Sequence, residues 1–164
     1  MLVREATLAE INGVRDLFRE YAAWVNDKAI CFQAFDQELA ELPGAYSPPR
    51  GRLLVAVDND TLAGSVALRP LEDGSAEMKR LYLREDYRGQ GLGAKLVHAA
   101  ISEARAAGYR LLRLDTLPKM QTAQKLYESL GFRNIARYNT TPGNDVRFLE
   151  LDLLQNPNPT RNNA

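Results

Sequence analysis

Ala76-Glu77-Met78-Lys79-Arg80-Leu81-Tyr82-Leu83-Arg84-Glu85-Asp86-Tyr87-Arg88-Gly89-Gln90-Gly91-Leu92-Gly93-Ala94 is the stretch on which the reading of this chain turns. Residues 76 to 83 finish on Leu, Tyr and Leu in an alternating run, which predicts a strand, although Met78 and Lys79 blur the period. Glycines then alternate at 89, 91 and 93, and Leu92, Leu96, Val97, Ala100, Ile101 and Ala104 recur at helical spacing until Gly108. A helix therefore opens inside the glycine run. Free N–H groups at a helix start, with the dipole behind them, attract an anion, and glycines let phosphate oxygens approach the backbone. Arg84 and Arg88 add positive charge beside that nest. The plain alternative is a tight turn that binds nothing; arginines and alternating glycines this close together favour a phosphate-bearing ligand.

Spacing separates the known phosphate loops. A Walker loop ends in Gly-Lys-Ser or Gly-Lys-Thr, and no Lys-Ser or Lys-Thr pair occurs in the chain. A dinucleotide fingerprint fits better, because Gly89-x-Gly91-x-x-Ala94 matches its spacing and Asp115 ends the next strand where a ribose-binding acid would sit. That fold passes from strand directly into the turn, however, whereas Arg84 to Arg88 intervene here, and its full site needs further βαβ units.

Arg88-x-x-Gly91-x-Gly93 resembles the Q/R-x-x-G-x-G/A pyrophosphate loop of the GNAT superfamily of acyl-CoA-dependent N-acyltransferases, and the strand before it resembles the family's central strand. Downstream, Leu111-Leu112-Arg113-Leu114-Asp115-Thr116 and Ala123-x-x-Leu126-Tyr127-x-x-x-Gly131-Phe132 resemble the family's next strand and its A-x-x-x-Y-x-x-x-G-F helix end. The likeness is sharp from about residue 76 to 133 and weaker over the flanking parts of residues 1 to 153. It implies an α/β (α+β) fold, with a mixed, mostly antiparallel twisted sheet of about seven strands flanked by about four helices.

Composition narrows the function classes. At 164 residues the chain suits one domain, expected over 1–153, able to bury about two-thirds of its unfolded surface. The 21 basic and 21 acidic residues cancel, so neither a nucleic acid nor an anionic membrane is an expected partner. A single cysteine, Cys31, forms no intrachain disulfide, no apolar run approaches the ~20 residues of a membrane span, and a cytoplasmic protein is expected. One histidine, His98, and no paired cysteines argue against a metal site.

Residues 2–6 predict a strand ending at Thr7, which forms a capping-box pattern with Glu10 for a helix from Leu8. Leu8, Ile11, Val14, Leu17, Phe18 and Tyr21 then share one face. Residues 32–42 predict a second helix, and the segment 22–51 a substrate-side wall in which Trp24, Phe32, Phe35 and Tyr46 either line a pocket or pack in the core. Residues 53–57 and 62–68 predict a hairpin pairing with the organising strand, and the helix of 91–107 crosses to a strand at 110–116. A helix over 119–130 ends at Gly131, a left-handed cap. Residues 132–138 and 146–153 predict a last hairpin, and 154–164 a polar, disordered tail.

The resemblance implies transfer of an acetyl group from acetyl-CoA, as co-substrate and without a metal, to a primary amine by direct attack in a ternary complex. By the same resemblance Leu81, Tyr82 and Leu83 bind the pantetheine arm and thioester oxygen, and Arg88, Gly89, Gln90, Gly91, Leu92, Gly93 and Ala94 hold the pyrophosphate. Tyr127 matches the tyrosine that donates a proton to the departing sulfur; an ordinary phenol, with a pKa of about 10, stays protonated at neutral pH. Glu77 matches a catalytic glutamate of several relatives, acting directly or through water, and a solvated surface glutamate is the competing reading. Many members carry an asparagine where Met120 stands, and Thr116 or Asp115 would replace its bond to the pantetheine arm.

Phe32, Tyr138 and Asn139 are the implied acceptor contacts, and Arg80, Arg137 and Arg147 are candidates to meet a substrate carboxylate. The neutral charge balance gives no support to a basic protein tail as acceptor, so a small amine or an amino acid is expected, with a homodimer as a further expected partner. Three readings compete with it: a protein or peptide acetyltransferase, a non-catalytic acyl-CoA sensor and, more distantly, a nucleotide-binding oxidoreductase.

Overall fold

Leu53, Val55 and Val57 face one way along strand β2 (Arg52–Asp58) and Leu54 and Ala56 the other, and all are buried. A strand apolar on both faces needs a packed layer on each side. The computed structural model describes residues 1–25 and 32–155, the side chains of Phe32 and Gln33 excepted, and it supplies both layers. The first set packs with Val14 and Phe18 of α1 (Ile11–Val25) and Phe35 and Leu39 of α2 (Phe32–Glu41). The second packs with Leu96, Val97, Ala100 and Ala104 of α3 (Leu92–Ala106) and Tyr127 of α4 (Gln121–Ser129).

Between these layers lie β1 (Leu2–Glu5), β2, β3 (Thr61–Pro70), β4 (Ala76–Leu83), β5 (Leu111–Thr116), β6 (Arg133–Asn134) and β7 (Arg147–Asp152), in the order β1-β2-β3-β4-β5-β7-β6. Every neighbouring pair is antiparallel except β4 and β5, which are parallel because α3 carries the chain across. The seven-stranded mixed sheet with four helices is the one the resemblance implied. Among the described residues no helix is long and apolar enough to cross a membrane.

Two expectations need correction. Leu8 is 82% exposed, because residues 8–10 form a short 3₁₀ turn that overhangs the sheet before α1 begins. The last hairpin is much shorter than expected: β6 covers Arg133–Asn134 alone, and the bond from the Ile135 N–H to the Phe148 carbonyl is its final link. Beyond it Tyr138, Asn139 and Thr141 bond to carboxylates on β4 and β5, which draws the chain off the sheet edge. Cys31 and residues 156–164 lie outside the described residues.

The expected cap at Thr7 also ties β1 to α1. The Glu10 carboxylate accepts from the Arg4 guanidinium at 2.7 and 2.9 Å and from the Thr7 N–H at 2.8 Å. Its pKa is pulled from 4.5 down to about 2, chiefly by the Arg4 hydrogen bond. A carboxylate depressed by folding contributes stability in full above its unfolded pKa and loses it as pH falls through the folded value. The melting temperature should therefore fall between about pH 4.5 and pH 2, and Glu10→Gln should fall less steeply. Identical slopes in a melting series would remove Glu10 from that account.

Two local features of β4 shape the site. Its pairing with β5 has two rungs, Ala76 with Leu112 and Glu77 with Arg113, after which the strands part. Its pairing with β3 slips by one residue between the Ser65–Tyr82 and Ala67–Lys79 pairs, with Arg80 at φ 60°. This is a β-bulge, and it breaks the side-chain alternation. Lys79 and Arg80 consequently lie toward α1 and α2 together, whereas Met78 and Leu81 pack toward α3.

Candidate active site

The parting of β4 and β5 opens a cleft of roughly 1220 Å³. Leu81, Tyr82 and Leu83 form one wall, so their β5-facing backbone groups meet the cleft rather than a strand. Arg88, Gly89, Gly91, Gly93 and Ala94 line its mouth, and Tyr127 lines its α4 side.

The glycine loop is built as an anion cradle. Gly89 and Gly91 hold φ 74° and 78°, values that favour glycine, and a Cβ at either position would point into open space. Gly91 caps α3, so the first amides of the helix are left free at the loop. These features fit a pyrophosphate. Gly91→Val would strain the turn by placing a β-branched residue at positive φ, which costs on the order of 1–3 kcal/mol. We expect acetyl-CoA affinity to fall roughly tenfold or more, and calorimetry that found it unchanged would show that the loop conformation does not govern binding.

The two arginines of the loop take different tasks. Arg88 lies over the rings of Trp24 and Tyr82, 5.4 and 5.7 Å from their centroids, and its Nε donates to the Leu83 carbonyl. Its remaining N–H groups face the cleft mouth. Arg84 instead pairs with Glu20 of α1 at 2.8 Å and donates to the Leu62 carbonyl, so it clamps a helix and does not charge the nest. Lys119, which the sequence did not single out, sits 4.9 Å from the Trp24 ring at the same mouth.

Tyr127 is 5% exposed and packs on Phe132, with ring centroids 5.5 Å apart. Phe132 holds that place because the helix end closes through Gly131 at φ 94° and the Phe132 N–H donates to the Tyr127 carbonyl. Burial pushes the Tyr127 hydroxyl above its ordinary pKa, with Tyr21 and Asp115 adding to the shift, so it stays protonated at neutral pH.

Glu77 is 1% exposed, which excludes the solvated reading. It accepts from Arg69 Nε at 2.8 Å and from the Tyr138 hydroxyl at 2.6 Å, with Asn139 Nδ2 at 3.4 Å and Lys79 Nζ at 3.8 Å. Burial acts to raise its pKa, but Lys79, Tyr138 and Arg69 outweigh it, and the net shift is downward. The carboxylate itself does not line the cleft, and neither does Tyr138; Asn139 does.

Other expected site residues divide the same way. Gln90 bonds to the Asp86 carbonyl, Leu92 is buried under the sheet, and Thr116 is buried on the α3 side against Met120 Sδ at 3.7 Å. None of these lines the cleft, whereas Asp115 and Met120 do. The side chain of Phe32 lies outside the described residues. Of the arginines considered for a carboxylate, Arg80 is held by Glu38, Arg137 by the Thr141 and Gly143 carbonyls, and Arg147 by Gln124, Glu128 and Asn134. Sequence reasoning missed Lys79, which shares the face of Glu77 by alternation, with Arg80 brought beside it by the bulge.

The model of the acetyltransferase (GNAT) family matches residues 12–132. An uncharacterized N-acetyltransferase of Schizosaccharomyces pombe is 40% identical over 126 residues, 76% of this chain and 77% of the relative. Another, from Dictyostelium discoideum, is 29% identical and covers 88% of this chain and 95% of its own. Among solved structures, a GNAT-family acetyltransferase from Staphylococcus aureus matches with a TM-score of 0.78 at 21% identity, over 93% of this chain and 98% of that one. An acetyltransferase from Salmonella typhimurium, solved with its cofactor acetyl-CoA, matches with a TM-score of 0.70 at 22% identity, over 98% of each chain. The glycine loop, the split strands and the α4 tyrosine fall within the matched span, and the chain belongs to the GNAT acetyltransferase family, as an acyltransferase.

Proposed function

We propose that residues 1–153 form a single catalytic domain that acetylates the primary amine of a small molecule or amino acid by direct attack in a ternary complex. The observation that carries this is the cleft itself, where a phosphate cradle, an unpaired strand edge and a buried, protonated tyrosine converge. The amine nitrogen attacks the thioester carbonyl carbon, and a backbone N–H of Leu81 to Leu83 stabilises the oxyanion. As the intermediate collapses the C–S bond breaks, the Tyr127 hydroxyl proton passes to the sulfur, and solvent restores it. The proton released by the amine leaves through the water of the cleft.

Glu77 is a weak candidate for direct proton abstraction, because a carboxylate held below its usual range is a poor base at neutral pH. We assign it a positioning role, orienting Tyr138 and Asn139 and keeping Lys79 charged. Glu77→Gln should then leave the acid limb of the kcat–pH profile in place while raising the acceptor KM. A limb that vanished would return Glu77 to the role of base.

The deciding experiment is thiol release from acetyl-CoA against amino acids, polyamines, aminoglycosides and a lysine peptide. Turnover with a free amine supports the proposal. Turnover with the peptide alone favours a protein acceptor, and saturable acetyl-CoA binding without any turnover favours a sensor.

A further inference from the structure

We infer that the acceptor is an amino acid bound as a zwitterion, with its carboxylate on Lys79 and its ammonium on Asp115; this rests on the acetyltransferase reading above. Lys79 and Asp115 both line the cleft. Each stands two residues beyond the last β4–β5 rung, Glu77 with Arg113, so both project to the α1 and α2 face from opposite sides of the opening. That opening is where the thioester would lie against Leu81 to Leu83.

Among the described residues Lys79 has only a shared carboxylate partner, and Asp115 forms no ion pair. Lys79 Nζ makes no hydrogen bond, and its nearest carboxylate, Glu77 at 3.8 Å, is already bonded to Arg69 and Tyr138. Asp115 accepts from Asn139 Nδ2 at 2.7 Å and Thr141 Oγ1 at 2.8 Å, both neutral donors, and forms no ion pair among the described residues. These neutral bonds fix the Asp115 carboxylate without neutralising it. Of the other charges lining the cleft, Arg80 pairs with Glu38 and Arg69 with Glu77, whereas Arg88 and Lys119 lie beside Trp24 and Glu41 of α2 accepts from Gln37.

A cation whose one carboxylate is shared and an anion held only by neutral donors, on opposite strands of the opening, form a dipole complementary to a compact zwitterion. A neutral-ended amine would leave the part-buried Lys79 ammonium with only the shared Glu77 carboxylate, which disfavours it. An extended basic peptide would meet Lys79 with like charge. Burial lowers the Lys79 pKa and Arg80 lowers it further, and a substrate carboxylate would offset both effects.

The test measures thiol release by the full chain with each proteinogenic amino acid, its amide and its decarboxylated amine, with acetyl-CoA affinity measured separately by calorimetry. At least one free amino acid should exceed its two carboxylate-free counterparts by roughly tenfold to a hundredfold in kcat/KM, the range of a charge-assisted hydrogen bond. Lys79→Met should abolish that preference, mainly through KM, with acetyl-CoA affinity unchanged. Asp115→Asn should raise KM for all members of a matched set. Equal turnover of the carboxylate-free amines, or a preference that survives Lys79→Met, overturns the inference. So does a chain that binds acetyl-CoA and turns over no amino acid, which leaves the family reading intact. Loss of both acetyl-CoA binding and thiol release would remove that reading and the inference with it.

Discussion

Tyr127→Phe should lower kcat for acetyl transfer at neutral pH by about a hundredfold while leaving acetyl-CoA affinity unchanged. General acid catalysis contributes roughly 10²–10⁴ in rate, and the lower end is expected for the proposed acid because a phenol is already a weaker acid than a thiol and burial weakens this one further. The substitution removes one oxygen and keeps the ring on Phe132, so the packing of α4 should persist. Steady-state kinetics together with a melting curve separate the effects. A variant with normal kcat would show that sulfur departs without this proton, and one that melted early would point to a role in the fold instead.

Glu38→Ala should cost about 3 kcal/mol of stability, or a melting temperature lower by about 10 °C. Glu38 of α2 receives two bonds from Arg80, each 2.9 Å, and the guanidinium is 11% exposed between the rings of Tyr21 and Phe35. Burial works against the Arg80 charge, but the Glu38 carboxylate outweighs it, and the group is held above its ordinary pKa. Removing the carboxylate strands a desolvated cation at the bulge of β4. Urea denaturation measures the loss, and Glu38→Leu combined with Arg80→Met should recover much of it. A loss below about 1 kcal/mol would mean that the pair behaves as a surface ion pair.

The parts of the fold legible in the sequence were those whose signals are local. The glycines at 89, 91 and 93, the 3.6-residue period of α3 and the cap at Gly131 each encode their own geometry, and the structure places them where their spacing puts them. Leu8 kept the helical period but fell outside the sheet's cover, because periodicity says nothing about where a helix meets its partner. The last hairpin failed for the opposite reason. Its sequence alternates adequately, but Tyr138, Asn139 and Thr141 find stronger partners on β4 and β5 than on β7, and such distant bonds leave no local trace.

The geometry of the glycine loop, the proposed acetyl-CoA side, was legible in the sequence, and that of the proposed acceptor side was obscure. Backbone amides and glycine conformations set the shape of the loop, so the motif itself encodes the geometry. The acceptor side depends on which way side chains face after the bulge, and the slip that turns Lys79 and Arg80 together cannot be read from alternation. Arg84 shows the same limit, since its charge is adjacent to the loop in sequence yet is taken by Glu20 in space.

The two-rung junction of β4 with β5 gives the molecule a mechanical seam. On one side lies the β1–β4 half-sheet and on the other the β5–β7–β6 half-sheet, with α3 bridging them. Amides of residues 79–83 that point across the seam have no strand neighbour to slow deuterium uptake, so they should exchange early compared with those facing β3. A substrate arm laid along that edge acts as a surrogate strand, and it should slow exchange there and on β5 together. At a hundred times its dissociation constant it would add about 2.7 kcal/mol, joining two half-sheets into one unfolding unit.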